Sequence, residues 1–327
     1  MIRIRLPIDD SAREAMLAVR VWEVHALARI DELQLTLCPR LLGGGHCWLP
    51  AGTEGLPASG LELLEQRPLG EGEVLLHHRF IEIAKRHGNN LAIEDFTTNR
   101  KLSYSRSLIA SLLLASILKK YERGFIGIML PTSAGCILAK IGALMSGRTP
   151  VMINYSTGAD QNAKYAQKKC GFRTIITSKA LLEKIECPYV DGMVYIEDIM
   201  ESISGLQKVR AALISKLPVG MIKSIVRGGT ENDIAVILFT SGSEKDPKAV
   251  QLSHKNILAN VASCSECFEF NVEDIFLSTL PYFHVFGLTV NFWIPIYHGA
   301  RILTYANPLE YRKICELARD HKATLLV

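Results

Sequence analysis

What this chain of 327 residues lacks narrows its class before any motif is read. It has no run of eighteen apolar residues, the length a membrane-crossing helix needs. The longest candidate, residues 125–145, is broken by Pro131, Gly135 and Lys140 and suits a buried strand followed by a helix. The formal charge is only +4 and is dispersed, which argues against a nucleic-acid-binding face. Arg3 and Arg5 open the chain, but Asp9, Asp10 and Glu14 interrupt any secretory core, so a cytoplasmic protein is expected. The eight cysteines (38, 47, 136, 170, 187, 264, 267 and 315) are scattered, several in apolar contexts typical of reduced core thiols. Cys264 and Cys267 form a C-x-x-C pair with neither a second ligand pair for zinc nor a thioredoxin-like setting, and read as part of a helix.

What is present is a chain of ordinary globular apolarity, long enough for two domains or one large domain with an appendage. From about residue 75 onward, strand and helix patterns alternate. Residues 127–131 and 150–155 read as strands, residues 133–145 and 161–169 as helices, and residues 174–178 as a further strand. Alternation of this kind predicts an α/β fold with parallel-rich sheets flanked by helices. Residues 1–70 differ: residues 11–33 carry helical periodicity through Ala15, Val19, Trp22, Ala26 and Ile30, followed by Gly43-Gly44-Gly45 and a Gly/Pro-rich loop. This region is left unassigned, and residues 71–327 are expected to be the main domain.

The most informative stretch is Thr240-Ser241-Gly242-Ser243-Glu244-Lys245-Asp246-Pro247-Lys248. It follows an apolar strand at 234–239 and precedes a helix for which Ser253 is the expected N-cap. Hydroxyls and exposed N–H groups can donate to an anion, glycine lets the backbone come close, and Lys248 adds charge. Strand, turn, lysine and helix in that order predict a phosphate cradle. It is not a Walker A loop, which requires G-x-x-x-x-G-K-S/T: the second glycine position holds Pro247 and the final hydroxyl position holds Ala249.

This loop resembles the phosphate-binding loop of the acyl-adenylate-forming enzymes, a superfamily of acyl-CoA synthetases, luciferases and peptide-synthetase adenylation domains. Its pattern is close to Y/F-T-S-G-S/T-T/E-G-x-P-K-G-V, with Lys245 and Ala249 standing where two glycines are usual. Pro281-Tyr282-Phe283-His284-Val285-Phe286-Gly287 resembles the P-x-F-H-x-x-G segment of the same family, and Leu102-Ser103-Tyr104 its opening L-S/T-Y turn. The phrases at 124–131, 151–159 and 164–172 look most like bacterial acyl-acyl-carrier-protein synthetases, including the ligase half of the bifunctional 2-acylglycerophosphoethanolamine acyltransferase.

The resemblance implies ATP and Mg2+ as cofactors, a long-chain fatty acid as substrate, and acyl-carrier protein or CoA as thiol acceptor. It implies that Thr240, Ser241, Gly242, Ser243, Glu244 and Lys248 hold the nucleotide, with Thr240 also touching the metal. Phe283, His284 and Gly287 would form the substrate pocket, with His284 in a catalytic role. It also implies a partial adenylation domain, its C-terminal portion and small lysine-bearing domain lying beyond Val327. An acyltransferase half would carry H-x-x-x-x-D, but none of the nine histidines has an aspartate five residues on; His77 has Glu82 there.

Two other readings stay open: adenylation of a different carboxylic acid, and a catalytically incomplete nucleotide- or acyl-binding module. In the segment 192–232, Lys208, Arg210, Lys216, Lys223 and Arg227 alternate with Val209, Leu213, Ile214, Leu217, Met221, Ile222 and Ile225. Such a pattern fits either an ordinary solvated helix face or peripheral contact with the anionic inner membrane.

Overall fold

The computed structural model of the protein describes residues 2–3, 74–240 and 247–326. Apart from Ile2 and Arg3, the unassigned region 1–70, with its helical periodicity and triple glycine, lies outside the described residues. The described strands form two six-stranded sheets. In chain order the first elements are β1 (Ile2–Arg3), α1 (Leu76–Arg86), β2 (Leu91–Asp95), β3 (Arg100–Ser103), α2 (Tyr104–Leu118), β4 (Gly124–Ile128), α3 (Ala134–Ser146), β5 (Arg148–Met152) and α4 (Ala159–Cys170). Next come β6 (Ile175–Thr177), α5 (Lys179–Lys184), β7 (Met193–Tyr195), α6 (Ile196–Glu201), α7 (Gly205–Lys216), α8 (Val219–Ile225), β8 (Ile234–Thr240) and β9 (Lys248–Ser253). The rest are α9 (His254–Cys267), β10 (Ile275–Ser278), α10 (Val285–Leu288), a π-helical turn (Thr289–Trp293), α11 (Ile294–His298), β11 (Arg301–Thr304), α12 (Tyr311–Asp320) and β12 (Leu325–Leu326).

One sheet runs β1-β12-β10-β11-β2-β3 and the other β7-β6-β4-β5-β8-β9. Pairing is parallel except where β1, β3 and β9 join at the edges. Alternation along the strands explains the layering. Ile126, Ile128, Val236 and Leu238 face a central core shared with Phe276 and Ile302 of the other sheet, built around α1, α2 and α3. Their neighbours Met129, Val151 and Ile237 face an outer core with α4 and α5, while Leu277 and Leu303 face α12. The result is an αβαβα stack, in which strands buried on both faces read as continuous apolar runs, as parallel strands do.

Serine punctuates the helix starts. Ser103, Ser133, Ser178, Ser204 and Ser253 each accept the backbone N–H three residues on, satisfying a donor the helix leaves open. Ser253, the expected N-cap, closes a capping box with Asn256.

Strand boundaries differ from the expectation. β5 begins at Arg148 rather than at 150, because its guanidinium is tied to the carbonyls of Lys119, Tyr121, Glu122 and Ser146 at 2.7–3.2 Å. A larger difference concerns the phosphate loop. The expected helix does start after Ser253, but between it and the loop lies a strand not expected from the sequence, β9, which returns antiparallel along β8 with Thr240 opposite Lys248. β8 and β9 therefore pair as antiparallel neighbours at a sheet edge, and α9 begins only at His254. Any anion held there relies on loop groups and Lys248 rather than on a helix dipole.

Among the described residues, no helix is long and apolar enough to cross a membrane.

Candidate functional site

The register of the second sheet sets the site. Val151 of β5 pairs with Ile237 of β8 in parallel, so residues just past both strands emerge at the same end of the sheet. Thr240 lies three residues beyond Ile237, and Tyr155 four beyond Val151. In α/β proteins, ligands meet the crevice outside the carboxyl ends of parallel strands.

At the hairpin mouth Thr240 and Lys248 are both exposed. Ser241, Gly242, Ser243 and Glu244, four of the expected phosphate contacts, lie outside the described residues. The base of the loop is clamped by a residue that no motif in the sequence singles out. The Tyr165 hydroxyl of α4 donates to the Pro247 carbonyl at 2.9 Å, and its ring stands edge-on to Phe239 at 5.9 Å. One side chain thus holds the residue before Thr240 and the residue before Lys248. Its signal in sequence was only an aromatic with a polar tip beside the small buried face Ala159, Ala163 and Ala166 of α4.

The aromatic–histidine segment reaches the same end of the sheet through Tyr155. Phe283 is buried and packs edge-on against Tyr155, with ring centroids 5.0 Å apart, and the His284 ring follows at 4.5 Å from Phe283. Thr132, past the end of β4, donates to the Leu280 carbonyl at 3.1 Å and fixes the approach of this segment. Tyr282 is buried, its hydroxyl 2.8 Å from that of Ser278.

Gly287 is required by space: a Cβ there would stand 2.5 Å from the Pro281 carbonyl oxygen. His284 is exposed, although partial burial still holds its pKa below the usual imidazole value. A neutral imidazole at the rim can accept or donate one hydrogen bond without a fixed charge.

Below this rim lie ionisable groups of another kind. Lys140, on the otherwise apolar α3, is fully buried with its ammonium 3.9 Å from the Phe292 ring centroid and without a hydrogen-bond partner. Burial pushes its pKa down to about 7. The sequence signal was available: a helix apolar on every face is buried all round, so a lysine within it is buried too. At the far end of α1, His77 and His78 both donate through Nε2 to the Arg227 carbonyl, at 2.8 and 3.1 Å. His254 accepts the Leu76 N–H on Nδ1 at 3.2 Å. Burial holds His77 at about 3 and His254 at about 4. Among the described residues no group of three or more His, Cys, Asp or Glu side chains is placed to hold a metal ion, Cys264 and Cys267 included.

A two-sheet α/β stack whose hydroxyl- and glycine-rich loop leaves the carboxyl end of a parallel strand has the architecture of the N-terminal subdomain of adenylate-forming enzymes. The chain belongs to the AMP-binding enzyme family, which it matches over residues 80–327. It is 27% identical over 260 residues to the long-chain-fatty-acid–CoA ligase of Bacillus subtilis, covering 69% of this chain and 45% of that one. The chain thus spans about half the length of the relative it matches.

The fold is similar to the N-terminal subdomain of Klebsiella oxytoca NpsA (TM-score 0.62, 17% identity, 78% of this chain and 61% of that one). It is also similar to Bacillus subtilis o-succinylbenzoate coenzyme A synthetase in complex with ATP and magnesium ion (TM-score 0.61, 15% identity, 76% of this chain and 62% of that one).

Proposed function

We propose that this chain is the nucleotide- and acyl-holding part of an acid–thiol ligase that activates a long-chain fatty acid with ATP and passes it to the thiol of CoA or acyl-carrier protein. The observation that carries the reading is the shared level of the hairpin mouth and Tyr155 at one end of the second sheet, with Phe283 packed on Tyr155 and His284 beside it. A polyphosphate and a carboxylate held by these two segments would lie side by side.

In the first half-reaction a carboxylate oxygen attacks the α-phosphorus of ATP. The new O–P bond forms as the bond to the β-phosphate oxygen breaks, and pyrophosphate leaves. In the second, a thiolate attacks the acyl carbonyl and AMP departs. Catalysis of this type rests on positioning and charge neutralisation.

Thr240, Ser241, Ser243 and Lys248 would neutralise the β- and γ-phosphates, Gly242 would admit them to the backbone, and Glu244 would stand beside them. The donor set suits a polyphosphate, since Lys248 and Thr240 stand opposite each other across the hairpin. Magnesium would arrive with the nucleotide's own phosphate oxygens and take the Thr240 hydroxyl as one ligand. His284 would orient the carboxylate, with Phe283 and Gly287 shaping the acyl entrance.

ATP–pyrophosphate exchange across a panel of carboxylic acids tests the reading. Exchange with long-chain fatty acids is the expected result. Exchange only with another acid would move the substrate class, and none with any acid from a folded protein would leave a binding module, the reading that Lys245 and Ala249 in the glycine positions favour.

A further inference from the structure

Between Glu201 and Glu231 the chain carries five Lys or Arg residues and no Asp or Glu. The structure puts this cation-only stretch on the surface as α7 and α8, and two of the five charges are engaged. Lys223 pairs with Glu82 at 2.5 Å and Arg227 lies 3.8 Å from Asp233. Lys208, Arg210 and Lys216 are exposed on α7.

The orientation of α7 is unusual for an amphipathic helix. It packs on α2 through its small residues, Ala211 and Ser215, which are the ones it buries. Of its large apolar residues Ile214 packs against the central core, but three point the other way: Leu206, Val209 and Leu213 are 79%, 56% and 65% exposed. At 100° per residue these three fall within about 60° of one another, with Arg210 on one flank and Lys216 on the other. On α8, Met221 and Ile225, one turn apart, are exposed as well. A soluble surface ordinarily scatters its exposed apolar side chains; a contiguous stripe with a rim of one charge marks a contact.

We propose that this face rests on an anionic phospholipid bilayer. Charge complementarity selects the occupant. A second copy of the chain would press one cation-only stretch against another. Lipid matches both halves of the pattern: the acyl boundary takes Leu206, Val209 and Leu213, and the headgroup phosphates take Arg210 and Lys216, whose stems flank the apolar stripe, while Lys208, exposed farther round the helix, adds to the attraction for an anionic surface. The inference stands on this surface alone and not on the catalytic reading.

The test is co-sedimentation of the full chain with phosphatidylethanolamine vesicles containing phosphatidylglycerol, and with vesicles of phosphatidylcholine alone. Binding is expected only to the anionic vesicles, weakening as salt is raised. Replacing Lys208, Arg210 and Lys216 together by Gln should lower the partition on the order of a hundredfold. Replacing Leu206, Val209 and Leu213 by Gln should lower it at least about tenfold with no fall in melting temperature, since these side chains make little use of the core. Absence of wild-type binding, or binding that both variants retain, overturns the proposal. So does binding to an acidic carrier protein that the same variants abolish while vesicles are ignored, which would make the face a protein-docking site.

Discussion

Two lysines divide the molecule. Lys248 stands exposed at the mouth of a hairpin, opposite Thr240 and next to a loop of hydroxyls. Lys140 lies 3.9 Å from the Phe292 ring centroid with no exposed surface to speak of and no hydrogen bond. The first is placed where an anion can reach it; the second is a charge the fold encloses. Water explains the contrast. An ammonium enclosed without water or a hydrogen-bond acceptor tends to shed its proton. In the proposed function the same chemical group serves binding at the rim, whereas inside the fold it weighs on stability.

The contrast breaks most visibly at Lys248. Lys248→Ala is expected to lower ATP–pyrophosphate exchange on the order of 10²–10³-fold with an unchanged melting temperature; a variant as active as wild type would remove Lys248 from the site.

Next in size is acid lability from the buried histidines. His77 faces His78, His254 and the Arg227 guanidinium, with no acidic partner, and His254 uses its neutral Nδ1 to accept from Leu76; Asp233 is the one anion that favours its charging. Their folded pKa values, about 3 and about 4, lie below the unfolded value of 6.5. The folded state thus binds fewer protons, and stability present above pH 6.5 is lost as the pH falls. Between pH 6.5 and 5.5, above the range of the carboxylates, urea melts should show a loss on the order of 2 kcal/mol. His254→Gln should reduce the slope, and a wild-type stability flat across this window would contradict the burial of these rings.

Lys140 sharpens the comparison from the inside. Its pKa of about 7 lies below the unfolded value of 10.5, so stability rises with pH across that interval. Cys136, pushed up to about 12, opposes the rise only above pH 9. Lys140→Met should stabilise the protein by about 1–4 kcal/mol at pH 7 and flatten the rise between pH 7 and 9. Exchange activity should not move. Loss of stability in that variant would mean that the amine has a partner that offsets its burial. The smallest effect is expected at the helix that follows the hairpin: Ser253→Ala removes the capping box and should cost about 1 kcal/mol by chemical denaturation.

How much of this was legible in the sequence depended on what each residue needed to be recognised. The core strands were readable because residues buried on both faces are apolar without interruption, as at 234–239. The start of α9 was readable because Ser253 has a specific job at an N-cap, whereas α4, which starts after Gly158 without a side-chain cap, begins two residues before its expected start at Gln161. The return strand β9 was not, since Lys248-Ala249-Val250-Gln251-Leu252-Ser253 alternates like any half-exposed segment and its identity comes from pairing with β8. The motifs themselves were legible, yet their meeting was not. Tyr155 links the histidine segment to the end of the sheet and Tyr165 clamps the loop, and both contacts join residues far apart in the chain. Nor does α7 show from sequence which face it turns outward, because burying Ala211 and Ser215 with Ile214 beside them, rather than the leucines, is a decision of the α2 surface it meets.

The most direct measurement is MgATP affinity by isothermal titration calorimetry for the wild type, Lys248→Ala and Lys140→Met. Binding by the wild type, at least about tenfold weaker in Lys248→Ala and unaltered in Lys140→Met, is the expected result. Equal affinity in the wild type and Lys248→Ala would contradict the placement of the nucleotide at the hairpin mouth.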